Sequence, residues 1–269
     1  MRLSVILLNY NQAKNVIAMY RTLDRICRAH FFVVDNCSKD AGELKEFFAD
    51  KGNATLIFSS ENGGYAKGNN LGLRRAFNQH YDYALVINSD VIIKDKAFVK
   101  KLEKALVENT KLAVVSPLIK DVDGYLYNPE VKRPSFFDMT FLAFLYRRTG
   151  RRITEKRVQL SYRPQGSAML LNLKLCESVG FLDEATFLFY EEAILAERLR
   201  KQFLSCGIVT DTYVIHPHSK GIIDAFGVNG YREFYRKSYR YYLEEYRKYT
   251  GLRLNICMLF FNIKLLLMH

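Results

Sequence analysis

The sequence predicts an α/β protein built on a mostly parallel sheet flanked by helices, and three observations lead there. Apolar runs of strand length at 3–8, 30–34, 55–58 and 83–87 alternate with helix-like segments near 12–28, 39–51 and 67–79, the pattern of βαβ units. Each run ends in polar or acidic residues, as strands do where a ligand crevice begins. The length of 269 residues, 49% of them hydrophobic, suffices for one large domain or two small ones with a real core.

Forty Lys and Arg against 28 Asp and Glu give a formal charge of +12. Such a chain is drawn to something anionic: nucleic acid, a membrane leaflet or phosphorylated substrates. No nucleic-acid module accompanies the charge, so nucleic acid is not the expected partner. The five cysteines, Cys27, Cys37, Cys176, Cys206 and Cys257, are nowhere spaced as a zinc or redox pair. Reduced thiols in a cytosolic protein are the expectation. The opening MRLSVILLNYNQ lacks the length and cleavage site of a signal peptide and reads as the first strand. No window reaches the roughly 20 apolar residues that span a bilayer. The nearest, residues 252–268, is interrupted by Arg253, Asn255, Asn262 and Lys264.

The first strand is followed by Asn9, Tyr10 and Asn11, the second by Asp35, Asn36 and Ser38, the third by Glu61, Asn62 and Gly63. The fourth breaks at Asn88, Ser89 and Asp90 within YDYALVINSDVIIKD. In a parallel sheet these four sets converge at one crevice. The segment ENGGYAKGNNLGLRRAF sets Gly63, Gly64, Gly68 and Gly72 at the mouth of a helix. Small residues there admit either a phosphate or a tightly packed neighbour. Neither the Walker pattern nor the dinucleotide fingerprint is present, which disfavours two common nucleotide-binding classes.

The motifs NYN, FVVDNCSKD, ENGGYAKGNNLG, LVINSDV, GSAMLL, GFLDEATFLFYEE and VIHPHS occur in that order over residues 3 to about 220. In residues and order they resemble the family 2 glycosyltransferases of GT-A fold, particularly the bacterial rhamnosyltransferase-like branch. The resemblance implies a GT-A domain over 1–220, with a Rossmann-like donor half at about 1–120 and an acceptor half at about 121–220. A basic, aromatic helical extension over 221–269 follows. The implied reaction is an inverting transfer of a sugar from a nucleoside-diphosphate sugar, a dTDP- or UDP-sugar, to a glycan or polyprenyl-linked acceptor in bacterial cell-surface polysaccharide biosynthesis. A catalytically inactive GT-A fold that only binds is the alternative.

The polar break in the fourth strand is then a place for metal chemistry. The family's acidic DxD motif is reduced here to NSD, leaving Asp90 as its carboxylate. A hard cation such as Mg2+ or Mn2+ commonly takes one or two carboxylates and completes its shell with water and phosphate oxygens. The resemblance adds His216 as a late histidine for that site, with His218 close enough to compete. Asp35 resembles the residue that recognises the nucleotide base, although it is equally placed to cap the next helix. Asn36, Asn62, Lys67 and Asn69 complete the implied donor pocket, together with Asn9, Tyr10, Asn11, Asn88 and Ser89. Gly166 and Ser167 resemble the small residues that face the donor sugar or acceptor.

An inverting transfer requires a base, because an acceptor hydroxyl is a poor nucleophile until a carboxylate takes its proton. Glu191 and Glu192 stand at the family's Glu-Asp pair, whose second member is the base. Glu192 is therefore the first choice, with Glu191 and Asp183 as alternatives. The stretch from Pro134 to Arg163 is long and poorly periodic, as functional loops often are, and its Arg147, Arg148, Arg151 and Arg152 could meet a phosphate-bearing acceptor or lie in solvent. Beyond the core, Tyr231, Phe234, Tyr235, Tyr242, Tyr246 and Tyr249 recur at near-helical spacing among Arg and Lys. Such a stripe suits either a membrane interface through residues 229–268 or the protein's own core. The first reading places the protein in the cytoplasm at the inner face of the membrane.

Overall fold

The computed structural model describes residues 2–127, 129–141, 156–217 and 220–267. Arg147, Arg148, Arg151, Arg152 and His218 lie outside the described residues. The first half alternates as expected: β1 (Leu3–Asn9), α1 (Ala13–Asp24), β2 (His30–Asp35), α2 (Ala41–Phe48), β3 (Ala54–Phe58), α3 (Gly64–Asn78) and β4 (Tyr83–Ile87). It continues through β5 (Ile92–Ile93), α4 (Phe98–Glu108), β6 (Leu112–Lys120) and the single turn α5 (Phe136–Met139). Then come β7 (Val158–Ser161), β8 (Ala168–Asn172), α6 (Leu173–Glu177), α7 (Glu191–Lys201) and β9 (Ser205–Ile215). The extension holds α8 (Lys220–Tyr241), a π-helical turn (Tyr242–Tyr246) and α9 (Gly251–Leu267).

All the strands join one mixed sheet in the order β3-β2-β1-β4-β8-β6-β9-β5, with β7 on β9. The donor half, β3-β2-β1-β4, is wholly parallel. In the second half β8 runs antiparallel between β4 and β6, and β5 and β7 run antiparallel to β9. β6 and β9 are parallel to each other, so the sheet becomes mixed beyond β4, where the strict alternation of strand and helix also stops.

Successive side chains of the central strands divide between two cores, as strand geometry requires. Val5, Leu7, Phe31, Val33 and Leu85 pack with Val16 and Leu23 of α1, Leu44 of α2 and Leu102 of α4. Ile6, Phe32, Val34, Ala84 and Val86 face the other layer, with Leu73 of α3, Ile194 and Leu199 of α7, and Tyr239, Leu254 and Phe261 of the extension. A Cβ on Gly72 would stand 2.7 Å from Ile6 Cγ2, and one on Gly68 would stand 2.5 Å from Leu8 Cδ1. These glycines thus serve close helix-on-strand packing, which of the two roles open to them is the one a tight neighbour fills.

The strand order reverses at β1: the chain winds outward to β3 and returns to β4 on the other side of β1. A crevice opens at such a reversal beyond the carboxyl ends of the strands. The residues after β1 and β4 meet there, with Ser89 Oγ 3.4 Å from Gln12 Oε1.

The aromatic stripe of the extension faces the protein. Tyr239, Tyr242 and Tyr249 are buried, and Tyr235 packs against the same core. Glu197 of α7 anchors this layer, accepting from Arg133 through both oxygens at 2.6 and 2.9 Å and from Tyr162 Oη at 2.7 Å. The Tyr162 hydroxyl in turn meets that of Tyr242 at 2.7 Å. No helix among the described residues is long and apolar enough to cross a membrane.

Candidate active site

The floor of the crevice is a knot of short polar side chains between the ends of β1 and β2. Asn9 is fully buried and its Nδ2 lies within hydrogen-bonding reach of Asp35 Oδ1 (2.8 Å), Asp40 Oδ1 (2.9 Å) and Ser38 Oγ (3.1 Å). Asp35, also buried, accepts the Ser38 N–H on its second oxygen at 3.0 Å. Asn11, at φ 55°, accepts from the Lys39 N–H at 2.9 Å. Both loops are thereby fixed before any ligand arrives. Tyr10 points elsewhere, stacking on Phe226 at 5.8 Å with the rings 7° apart.

Asn36 bridges from this knot to the start of α3. It donates to Asn62 Oδ1 at 2.8 Å and to the Gly64 carbonyl at 3.1 Å. Gly64 itself needs a left-handed backbone, at φ 82°, and a Cβ there would strike the Phe187 carbonyl. Asn69 is buried and bonds back to the Tyr65 carbonyl at 2.9 Å. Lys67 pairs with Glu61 at 2.5 Å on the surface. Of the residues nominated for the donor pocket, Asn9, Asn36 and Asn69 are thus wall-builders, while Asp35 shares that role at the carboxyl end of β2.

At the end of β4 the Asn88 N–H donates to the Ser167 carbonyl at 2.9 Å, which ties the NSD turn to the segment of Gly166 and Ser167. Asp90 Oδ1 lies 3.3 Å from His216 Nε2, with Asp90 more than a third exposed and His216 mostly buried at the end of β9. A hard oxygen donor and an imidazole side by side fit a divalent cation that draws its remaining ligands from water and phosphate. No cluster of three or more His, Cys, Asp or Glu able to hold a metal occurs among the described residues.

The carboxylate pair opens α7 after an unusual turn. Phe189 and Tyr190 both adopt left-handed conformations, at φ 73° and 68°, each costing roughly 1–3 kcal/mol for a side-chain-bearing residue. They swing the chain so that Glu191 points inward and Glu192 lies along Gly166. Glu191 is buried, its Oε1 has no hydrogen-bond partner, and burial together with the neighbouring Glu192 pushes its pKa well above the usual carboxylate range. Glu192 is 17% exposed, and its Oε2 lies 3.7 Å from an Arg163 guanidinium nitrogen. Its other oxygen lies so close over Gly166 that a Cβ there would stand 1.7 Å from it.

Tyr65 joins the two ends of the crevice. Its hydroxyl donates to the Gly166 carbonyl at 2.7 Å, and burial, then Glu192, Glu191 and Asp90, raise its pKa well above the ordinary phenol value. Asp90 and the carboxylate pair therefore act on one partly buried phenol. Asp183 is committed elsewhere: one oxygen accepts from both Tyr241 Oη, at 3.1 Å, and Tyr246 Oη, and the other from the Ala185 N–H at 3.0 Å. Sequence reasoning missed Tyr65, Arg163 and Glu130. Tyr65 had a signal, as an aromatic residue between the glycines of ENGGYAKG, whereas Arg163 and Glu130 sit in a stretch with no period to locate them.

Residues 4–172 match the family model described as Glycosyl transferase family 2. The chain belongs to that family. Among curated relatives of this glycosyltransferase family, the Low-salt glycan biosynthesis hexosyltransferase Agl10 of Haloferax volcanii is 28% identical over 80% of this chain and 66% of its own length. The dTDP-rhamnosyl transferase RfbF of Shigella flexneri is 24% identical over 83% of this chain and 72% of its own length. Two solved structures share the fold. GalNAc-T7, solved with UDP, GalNAc and Mn2+, superposes with a TM-score of 0.65 at 13% identity, over 92% of this chain and 49% of that one. Residues 1–349 of S. aureus TarS, in complex with UDP, superpose at 0.55 with 18% identity, over 97% and 71%. The GT-A fold of this family 2 glycosyltransferase is thereby established, and the crevice described above is its candidate active site.

Proposed function

We propose that the protein transfers a sugar from a nucleoside-diphosphate sugar, a dTDP- or UDP-sugar, with inversion, onto a glycan or polyprenyl-linked acceptor in cell-surface polysaccharide biosynthesis. The observation that carries this reading is the convergence of Asp90, Tyr65 and the Glu191–Glu192 pair at the reversal of strand order. The names of the curated relatives, a hexosyltransferase and a dTDP-rhamnosyl transferase, agree with it.

Glu192 takes the proton of the acceptor hydroxyl. The freed oxygen attacks the anomeric carbon while the bond to the diphosphate oxygen breaks on the opposite face, which inverts the configuration. Glu191 is buried beside Glu192, away from the attacking oxygen. Asp90 and His216 would hold Mg2+ or Mn2+, which when bound neutralises charge on the diphosphate. Asp35 would accept the imide N–H of the pyrimidine.

The extension offers a route to a lipid-linked acceptor, though not through its tyrosines. On the outer side of α9, Leu252, Leu259, Ile263, Leu266 and Leu267 are exposed, and we assign that face to peripheral contact with an anionic leaflet at the cytoplasmic side. Calorimetry with UDP, dTDP and GDP, each with and without Mg2+ or Mn2+, tests the donor site. One nucleotide binding only with metal, and losing that dependence in Asp90→Ala, supports it. Glu192→Gln is expected to keep donor binding and to lower turnover by about 10²- to 10⁴-fold. Normal turnover in that variant removes Glu192 as the base.

A further inference from the structure

Among the described residues Glu192 pairs with one cation, Arg163, and the way that cation is held goes beyond what an ion pair needs. Arg163 follows β7 directly and presents Nε to Glu130 Oε2 at 3.0 Å and one terminal nitrogen to Glu130 Oε1 at 3.1 Å. This two-pronged bond uses one edge of the guanidinium and fixes its plane. The remaining nitrogen then faces Glu192 Oε2 at 3.7 Å, beyond hydrogen-bond length. Glu192 thus feels the charge while its lone pairs stay available for an acceptor hydroxyl.

Stability does not account for the arrangement. The Tyr162 N–H already ties the two backbone segments by donating to the Glu130 carbonyl at 2.7 Å. Tyr162 is itself locked by Glu197 and Tyr242. The Arg163–Glu130 pair is 35% and 42% exposed, and pairs of that exposure add little to folding. What the pair does specifically is aim a fixed positive charge at Glu192.

We propose that Arg163, clamped by Glu130, is the positioning residue that holds the Glu192 carboxylate aimed over Gly166 for the proton transfer. The inference rests on Glu192 being the base. Gly166 supplies the other wall, since it leaves the space that the second carboxylate oxygen occupies. Among the described residues, the other charged or titratable groups acting on this site include Glu191 on α7, Tyr190 just before it, Tyr65 on α3 and Tyr235 on α8, with Asp90 beyond Tyr65 and Lys264 of α9 acting on Glu130 and Arg163.

The test is kcat and donor KM for release of UDP or dTDP from the sugar nucleotide, in Arg163→Gln, Arg163→Lys, Glu130→Gln and Glu192→Gln, each checked for folding by circular dichroism and thermal melting. A reacting group misplaced by about 1 Å costs on the order of 10²-fold in rate. Arg163→Gln is expected to lower kcat by about that factor, with donor KM within about twofold of the parent. Arg163→Lys restores part of the lost kcat by returning the charge, and Glu130→Gln, which frees the guanidinium, lowers kcat part of the way. A kcat within about threefold of the parent in Arg163→Gln, or no rescue at all by Arg163→Lys, overturns the proposal. Should Arg163→Gln fail to fold, Arg163→Lys and Glu130→Gln carry the same test, and an unchanged kcat in Glu130→Gln counts against the clamp. Full turnover in Glu192→Gln would instead sink the base assignment beneath it, which separates the two failures.

Discussion

Replacing Gly166 with alanine should disable the enzyme without unfolding it. The added Cβ would lie 1.7 Å from Glu192 Oε1, 2.7 Å from Cδ and 3.1 Å from Cγ. Ordinary contact needs about 3.5 Å, so the carboxylate must retreat by more than about 1 Å. The atoms that move belong to the end of a flexible side chain. The Gly166 backbone lies outside the left-handed region, so alanine adopts it, with a stability change within about 1 kcal/mol. A reacting group misplaced by 1 Å costs on the order of 10²-fold in rate, equivalent to about 2.7 kcal/mol of barrier. Measured kcat for sugar-nucleotide turnover should therefore fall by about that factor, while donor affinity by calorimetry and Tm stay near the parent values. A kcat within about threefold of the parent would refute the placement of the base over Gly166. It would then favour Glu191, which this substitution does not touch.

Two further outcomes follow from the extension. Burial pushes the Asp183 carboxyl up, but hydrogen bonds from Tyr246, Ala185 and Tyr241 outweigh it and hold the pKa below its ordinary value. Its stabilisation is thus present above the unfolded value of about 3.9 and lost as pH falls through the lower folded value. Asp183→Asn should lower stability by about 1–2 kcal/mol at neutral pH and flatten the loss of Tm below about pH 4; an unchanged acid profile would show that the tyrosine clamp contributes nothing. For α9, the double variant Leu259→Asp and Leu266→Asp should lose about tenfold or more in co-sedimentation with phosphatidylglycerol vesicles, and equal binding by the parent and this variant would assign the exposed face to another partner.

The donor half was legible because its signals are local. Continuous apolar runs marked β1 to β4 nearly to the residue, and the polar residues behind them marked the crevice. What could not be read was which of those polar side chains point inward at each other. Asn9 and Asn36 resemble ligand contacts in sequence, yet each is hydrogen-bonded to partners that the fold brings in from 26 residues away, and Asn69 bonds back to the Tyr65 carbonyl within α3. Asp183, an alternative base in the sequence, is likewise bonded to residues remote in sequence, Tyr241 and Tyr246, 58 and 63 residues away. The Arg163–Glu130 clamp is invisible without the fold, since nothing periodic marks the segment between β6 and β7.

The tyrosine stripe shows most clearly how the sequence left two readings and the structure chose one. The turn that delivers Glu191 and Glu192 carries two left-handed residues with large side chains, which the isolated segment would not hold. Phe189 packs on Tyr231 and Tyr235 at 5.0 and 4.5 Å, and Tyr190 on Tyr235, Tyr239 and Tyr242 at 5.7, 5.2 and 5.2 Å. The Leu188 carbonyl just before them accepts from Ser238 Oγ at 2.6 Å, and the Phe187 carbonyl from the Tyr65 N–H at 2.8 Å. Aromatic contacts of this kind contribute about 0.5–1.5 kcal/mol each beyond the area they bury, enough in sum to offset the strain at both residues. The helix α8 is therefore a brace for the turn that precedes α7, and the spacing that looked like a membrane-facing stripe is the spacing needed to grip Phe189 and Tyr190 from one side.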